Sequence, residues 1–178
     1  MKRLWLVIVL IPLQIYVLWR INGHYVRVAD QLAIDPAAEH FQPMSEPIVV
    51  VPVPGINRAV TRTLAFARAV SKNVTAVHVT DDVESSALLR RRWREWGSDI
   101  PLVVLESQYR SLLGPIMHYI DVLEQRNPEA PITVVLAEYV PRRWWEWPLH
   151  NQTAFRLKWA LFFRPNTAVI DVPYHLVR

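Results

Sequence analysis

The chain opens on an apolar run, Leu4 to Trp19, sixteen residues without a charge. As a helix rising about 1.5 Å per residue it spans roughly 24 Å, short of the roughly 30 Å of bilayer hydrocarbon. Continuing through Ile21 with Arg20 snorkelling outward closes the gap, and Trp5, Tyr16 and Trp19 fall where interfacial aromatics belong. The pattern predicts a transmembrane helix over residues 1–21. Pro12 removes a backbone hydrogen bond and Gln14 brings an amide into lipid, so this helix is suited to a bundle whose neighbours supply partners. Met1-Lys2-Arg3 would also open a secretory signal peptide, but no A-x-A-like cleavage site follows promptly. Lys2 and Arg3 at one end balance Arg20 and Arg27 at the other, so charge alone leaves the orientation open.

Apolar residues at 21, 25, 28, 29 and 32 then keep a helical period, which predicts a juxtamembrane helix packing on the next domain. Pro36, Pro43 and Pro47 break the pattern, so residues 22–47 form that helix and a linker.

From residue 48 onward, short apolar runs alternate with helical periods, the signature of a parallel sheet covered on both faces. Strands are predicted at Ile48–Val53, Val74–Val79, Leu102–Leu105, Ile132–Leu136 and Thr167–Val172. The first helix is capped by Asn57 and buries Val60, Leu64, Ala67 and Val70. The second is capped by Asp81 or Asp82 and turns Leu89, Trp93 and Trp96 inward, leaving Arg90, Arg91, Arg92 and Arg94 on a solvated face. The third opens at Ser111 with Pro115 in its first turn, buries Ile116, Tyr119, Ile120 and Leu123, and stops at Asn127-Pro128. The fourth starts near Asn151 and carries two apolar stripes. Ala154, Leu157 and Leu161 form one; Phe155, Trp159 and Phe162 form the other. Only one can lie on the sheet, so the second needs a partner surface, most simply another copy of the domain. Right-handed crossovers arrange the whole as an α/β fold, a doubly wound five-stranded parallel sheet of order 3-2-1-4-5 over residues 48–178, with its switch point between strands one and four.

The composition sharpens this picture in three ways. With 178 residues the chain holds one domain and an appendage, and about 130 residues suffice for a real core. Hydrophobic residues make up 52%, above the usual 45–50% or so, and the excess sits at the N-terminus and in Trp and Tyr, which points to a bilayer. The net charge of +4 suits anionic lipid or phosphate as readily as nucleic acid, and the absence of cysteine rules out disulfides, thiolate nucleophiles and Cys-type zinc sites. No basic stripe or aromatic strand face supports RNA binding, so nucleic acid is not an expected partner.

Catalytic motifs are absent: there is no G-x-S-x-G, P-loop, G-x-G-x-x-G or H-E-x-x-H. His78 near Asp81 and Asp82 reads as structural rather than metal-binding, and Ser107 beside Glu106 has no visible base. The chain is therefore not expected to be an enzyme, and no cofactor is expected beyond a nucleotide effector. The switch-point crevice offers more. Gly55, Asn57 and Arg58 combine a permissive glycine, helix-start N–H groups and a cation. Arg142 and Arg143 after strand four, with Asn151 and Thr153 at the last helix start, could face them. Those seven residues are the candidate site for an anionic nucleotide, the alternative being that the asparagines only cap helices and the arginines only meet water. Trp144 and Trp145 could stack a base but fit an interface better, together with Phe155, Trp159 and Phe162.

Leu149-His150-Asn151-Gln152-Thr153, Val172-Pro173-Tyr174-His175-Leu176, Ser107-Gln108-Tyr109-Arg110-Ser111 and Val51-Pro52-Val53 resemble the C-terminal part of KimA-like potassium importers of the APC permease superfamily. The resemblance covers essentially the whole chain. It implies a proton-coupled potassium or amino-acid permease whose last transmembrane helix is residues 1–21 and whose tail is cytoplasmic, universal-stress-protein-like and dimeric. It also implies response to a nucleotide such as cyclic di-AMP. The expectation is a regulatory and dimerising portion in the cell inner membrane, single-pass, unable to transport alone, and either a split subunit that joins a multi-spanning permease subunit or a truncated gene product. The rival is a membrane-anchored nucleotide sensor. One departure stands out: Ala137-Glu138-Tyr139-Val140-Pro141 lacks the spaced glycines of the universal-stress-protein ATP motif.

Overall fold

The computed structural model describes residues 4–34, 43–107, 112–140 and 152–175. The chain divides into two units, Met1–Pro43 and Met44–Arg178.

The described residues of the first unit hold one helix, α1 (Leu4–Leu32), 29 residues long with Pro12 inside it. Anchor and juxtamembrane segment are one continuous helix, in keeping with the helical period that runs on past residue 21. Among the described residues no helix is long and apolar enough to cross a membrane. The physical reason is that beyond Trp19 the helix gains Arg20, Asn22, His24, Arg27 and Asp30, so its added length is polar. The spanning helix expected over residues 1–21 is not borne out. What α1 does show is apolar exposure on every side: Ile8, Val9, Leu10, Ile11, Leu13, Ile15, Val17 and Leu18 are all exposed.

Among the described residues the second unit builds five strands and four helices in alternation. These are β1 (Ile48–Pro52), α2 (Arg58–Val70), β2 (Val74–Thr80), α3 (Val83–Trp96), β3 (Leu102–Glu106), α4 (Leu113–Arg126), β4 (Ile132–Val140), α5 (Gln152–Phe162) and β5 (Thr167–His175). All pairings are parallel and the order is β3-β2-β1-β4-β5, as the alternation predicts. Two cores result from the pleat. Val49, Val51 and Val53 point to the face covered by α2 and α3, while Val50, Val77 and Val134 point to the face covered by α4 and α5. Central β1 is buried on both sides, which is why it reads as an uninterrupted Ile-Val-Val-Val run.

Helix ends follow local chemistry. Asn57 Oδ1 accepts the Val60 N–H at 2.9 Å, and Asp82 Oδ1 accepts the Glu84 N–H at 2.9 Å. Gly97 adopts φ 74°, the left-handed conformation that closes α3. The Trp93 indole N–H, buried, donates to the Ile100 carbonyl at 2.9 Å and fixes the turn into β3. Arg164, after α5, pairs with Asp121 and with Glu124 (2.6 Å) on α4, tying together the two helices of one face. At the domain entrance Glu46 accepts the Lys72 backbone N–H at 2.6 Å and lies 3.1 Å from the Ser71 hydroxyl, which latches the incoming chain to the end of α2.

Several boundaries differ from the pattern. Strands β4 and β5 run to Val140 and His175, beyond the purely apolar residues, because they pair with each other along their whole length. Trp96 is exposed rather than inward; it packs edge-on against Trp93 at 5.3 Å on the last turn of α3. Helix α4 begins at Leu113 after Leu112, with no side-chain cap, and Tyr119 and Leu123 are only half-buried.

Candidate functional site

The switch point lies between β1 and β4, and Pro52 shapes it. In a parallel ladder a residue's N–H and C=O point to one neighbour, and alternate residues point to opposite sides. The Val49 N–H donates to Asn73 and the Val53 N–H to Val77, so residues 49, 51 and 53 serve β2 and residues 48, 50 and 52 serve β4. Proline has no N–H to give. The β1–β4 pairing accordingly stops at Val50↔Val134, while β1–β2 continues to Pro52↔Val77. The carboxyl ends of β1 and β4 are left unpaired with each other, and this opening is where ligands of doubly wound sheets sit.

The turn after Pro52 carries three of the expected site residues. Arg58 is exposed and has no ion pair among the described residues. Asn57 spends its side chain on the Val60 N–H, so one helix-start donor is already taken. Gly55 has no atom within 4 Å of where a Cβ would be and no positive φ. Neither conformation nor crowding requires glycine there, contrary to the permissive role expected; the space is simply open. Thr153 lies in the first turn of α5. Arg142, Arg143, Asn151, Trp144 and Trp145 lie outside the described residues. The structure thus brings Gly55, Asn57 and Arg58 to one rim of the crevice and does not test the other candidates.

On the opposite side of the sheet α5 divides as its two stripes predict. Leu157 and Leu161 are buried, whereas Phe155, Trp159, Phe162 and Phe163 are 56–77% exposed. The four rings pack on one another: Phe155 stacks on Trp159 at 6.5 Å, and Phe163 meets Trp159 at 5.3 Å and Phe162 at 5.5 Å, both edge-on. Lys158 holds this helix down. Its ammonium reaches Glu138 of β4 at 2.8 Å and Asp171 of β5 at 2.9 Å. Burial acts to lower its pKa, but the two carboxylates outweigh it and the net shift is upward. Lys158 escapes sequence reading; the one signal is a lone carboxylate on each of β4 and β5.

His78, considered for metal binding, sits with Nδ1 2.8 Å from the Val53 carbonyl, a contact between neighbouring strands. Asp82 is engaged as a helix cap. Among the described residues no group of three acidic or histidine side chains could hold a metal.

The model of the KimA potassium transporter C-terminal domain matches residues 45–174. The chain belongs to that family. The potassium transporter KimA of Bacillus subtilis (strain 168) is 32% identical over 174 residues, 96% of this chain and 28% of the relative. The chain therefore spans little more than a quarter of that transporter's length. The KimA C-terminal match coincides with the α/β unit, and the longer alignment necessarily takes in most of α1 as well.

Proposed function

We infer that the chain is the cytoplasmic regulatory and dimerising portion of an APC-superfamily membrane protein that moves potassium, with α1 as its membrane-embedded part. The supporting observation is the 32% identity running through 96% of the chain, across both the α/β unit and α1. The exposed apolar surface of α1 supports it independently, because a helix hydrophobic all round demands an apolar surrounding. Counted from Leu4 the uncharged run gives roughly 24 Å of helix, and interfacial aromatics and a snorkelling Arg20 extend it. A regulatory role fits an α/β unit whose switch point is open. In cells expressing the chain with epitope-tagged multi-spanning permease, both should float together with membrane vesicles and co-purify in mild detergent. A chain recovered alone from the soluble fraction would count decisively against this reading.

A second reading, an anchored nucleotide sensor, is favoured by the Pro52 opening with unpaired Arg58 at its rim. It predicts calorimetric binding of an adenine nucleotide that weakens about tenfold in Arg58→Ala, the usual cost of losing a charge-assisted contact. Heat unchanged by that substitution places the ligand elsewhere.

A further inference from the structure

The sheet has two edges, and they are not alike. Along β5 the Ile132 N–H donates to the Asn166 carbonyl, and the register is unbroken to Val140↔His175. Residues 168, 170, 172 and 174 therefore serve β4, and Thr167, Val169, Asp171, Pro173 and His175 present their backbone outward. Pro173 has no N–H to present, which interrupts that edge for any incoming strand. Along β3 the Ala76 N–H donates to Pro101 and the Ser107 N–H to Thr80. The register then turns Val103 and Leu105 toward β2 and leaves Leu102, Val104 and Glu106 facing out. Every one of these keeps its N–H.

This unblocked edge borders a groove of about 620 Å³ lined by Arg90, Trp93, Arg94, Ile100, Leu102 and Val104, among others. The strand's side chains there are half-buried, so apolar surface reaches the groove floor. Helix α3 supplies charge along it. Arg90, Arg92 and Arg94 are exposed and make no ion pair among the described residues, in contrast to Arg91, which engages Glu95 at 2.9 Å.

We propose that the β3 edge and its arginine-lined groove bind an extended acidic segment of a partner protein by strand addition. Main-chain hydrogen bonds to Leu102 and Val104 supply the pairing, and alternate carboxylates on the α3 side of the new strand meet Arg90 and Arg94. A second copy of this chain is the poorer occupant, because joining two β3 edges brings two arginine-rich α3 helices together.

The probe is an end-capped, fluorescein-labelled octapeptide of alternating Glu and Val, titrated by anisotropy into the full chain in detergent micelles. A second peptide is identical except for N-methylation at the positions whose N–H groups would pair with β3. The plain peptide should bind saturably, the methylated peptide at least about tenfold more weakly, and Arg90→Glu/Arg94→Glu should weaken the plain peptide by a similar factor. Equal affinity for the two peptides would show an anion grip without strand pairing and overturn the proposal. So would undiminished binding to the double variant, or no binding up to about 1 mM. The methylated peptide tests the unaltered protein, so misfolding of the variant cannot rescue or sink the result.

Discussion

At the residue scale, single side chains decide where the chain is held and where it is open. Pro52 opens the sheet by what it lacks. Glu46 and Asp99 do the reverse, holding ends together as carboxylates. The Lys72 backbone N–H, then the Ser71 hydroxyl, hold Glu46 below its ordinary 4.5. The hydrogen bond from Arg68 does the same for Asp99, ordinarily 3.8. A carboxyl depressed in the folded state stabilises it above the unfolded pKa and ceases to do so as pH falls through the folded value, because the unfolded chain takes up the proton first. Thermal unfolding followed by circular dichroism should therefore show a midpoint that declines below about pH 4.5. In Glu46→Gln/Asp99→Asn the decline should be shallower. Both groups are solvent-exposed, so the difference is modest; parallel curves for the two proteins would refute the assignment.

At the element scale α5 carries the clearest conflict between burial and exposure. Leu161 is fully buried and Leu157 nearly so, each worth about 1.5–3 kcal/mol of burial, and Lys158 anchors the same side. The four aromatic rings on the opposite side contribute nothing of that kind while they face water. A self-complementary interface would bury them, and central aromatics of such patches carry about 2 kcal/mol or more each. Trp159→Glu/Phe162→Glu should raise the dimer dissociation constant by roughly thirtyfold or more, read by light scattering of the detergent-solubilised chain. The melting temperature should barely move, since neither residue is in the core. A wild-type chain that stays monomeric at all concentrations would remove the basis for dimerisation through α5.

At the scale of the whole molecule, the fold was legible because each strand's burial writes itself into composition. The two-sided burial of β1 and β4 produces Ile48-Val49-Val50-Val51 and Ile132-Thr133-Val134-Val135-Leu136, and the intervening helices repeat apolar residues at one spacing. The caps at Asn57 and Asp82 were readable for the same local reason. Less of the site was legible. Asn57 and Arg58 follow from sequence adjacency to β1, but the Lys158 triad and the Arg164 clamp join residues 13 to 43 positions apart, and one sequence holds no signal for such pairs. Hydrogen-bond direction along the edge strands was equally hidden, since it depends on register rather than residue type. The length of α1 was legible because the helical period continues smoothly past residue 21, where hydrophobicity does not.

The outward-facing Pro173 bears on how copies of this domain can grow into larger bodies. A sheet with two receptive sides could join β3 of one molecule to β5 of the next without limit, giving open-ended fibrils. With the β5 edge interrupted at Pro173, run-on stacking lacks an unbroken second attachment edge, and growth from the β3 side is disfavoured. Crowded side by side at a membrane, these domains would meet in finite sets rather than polymerise.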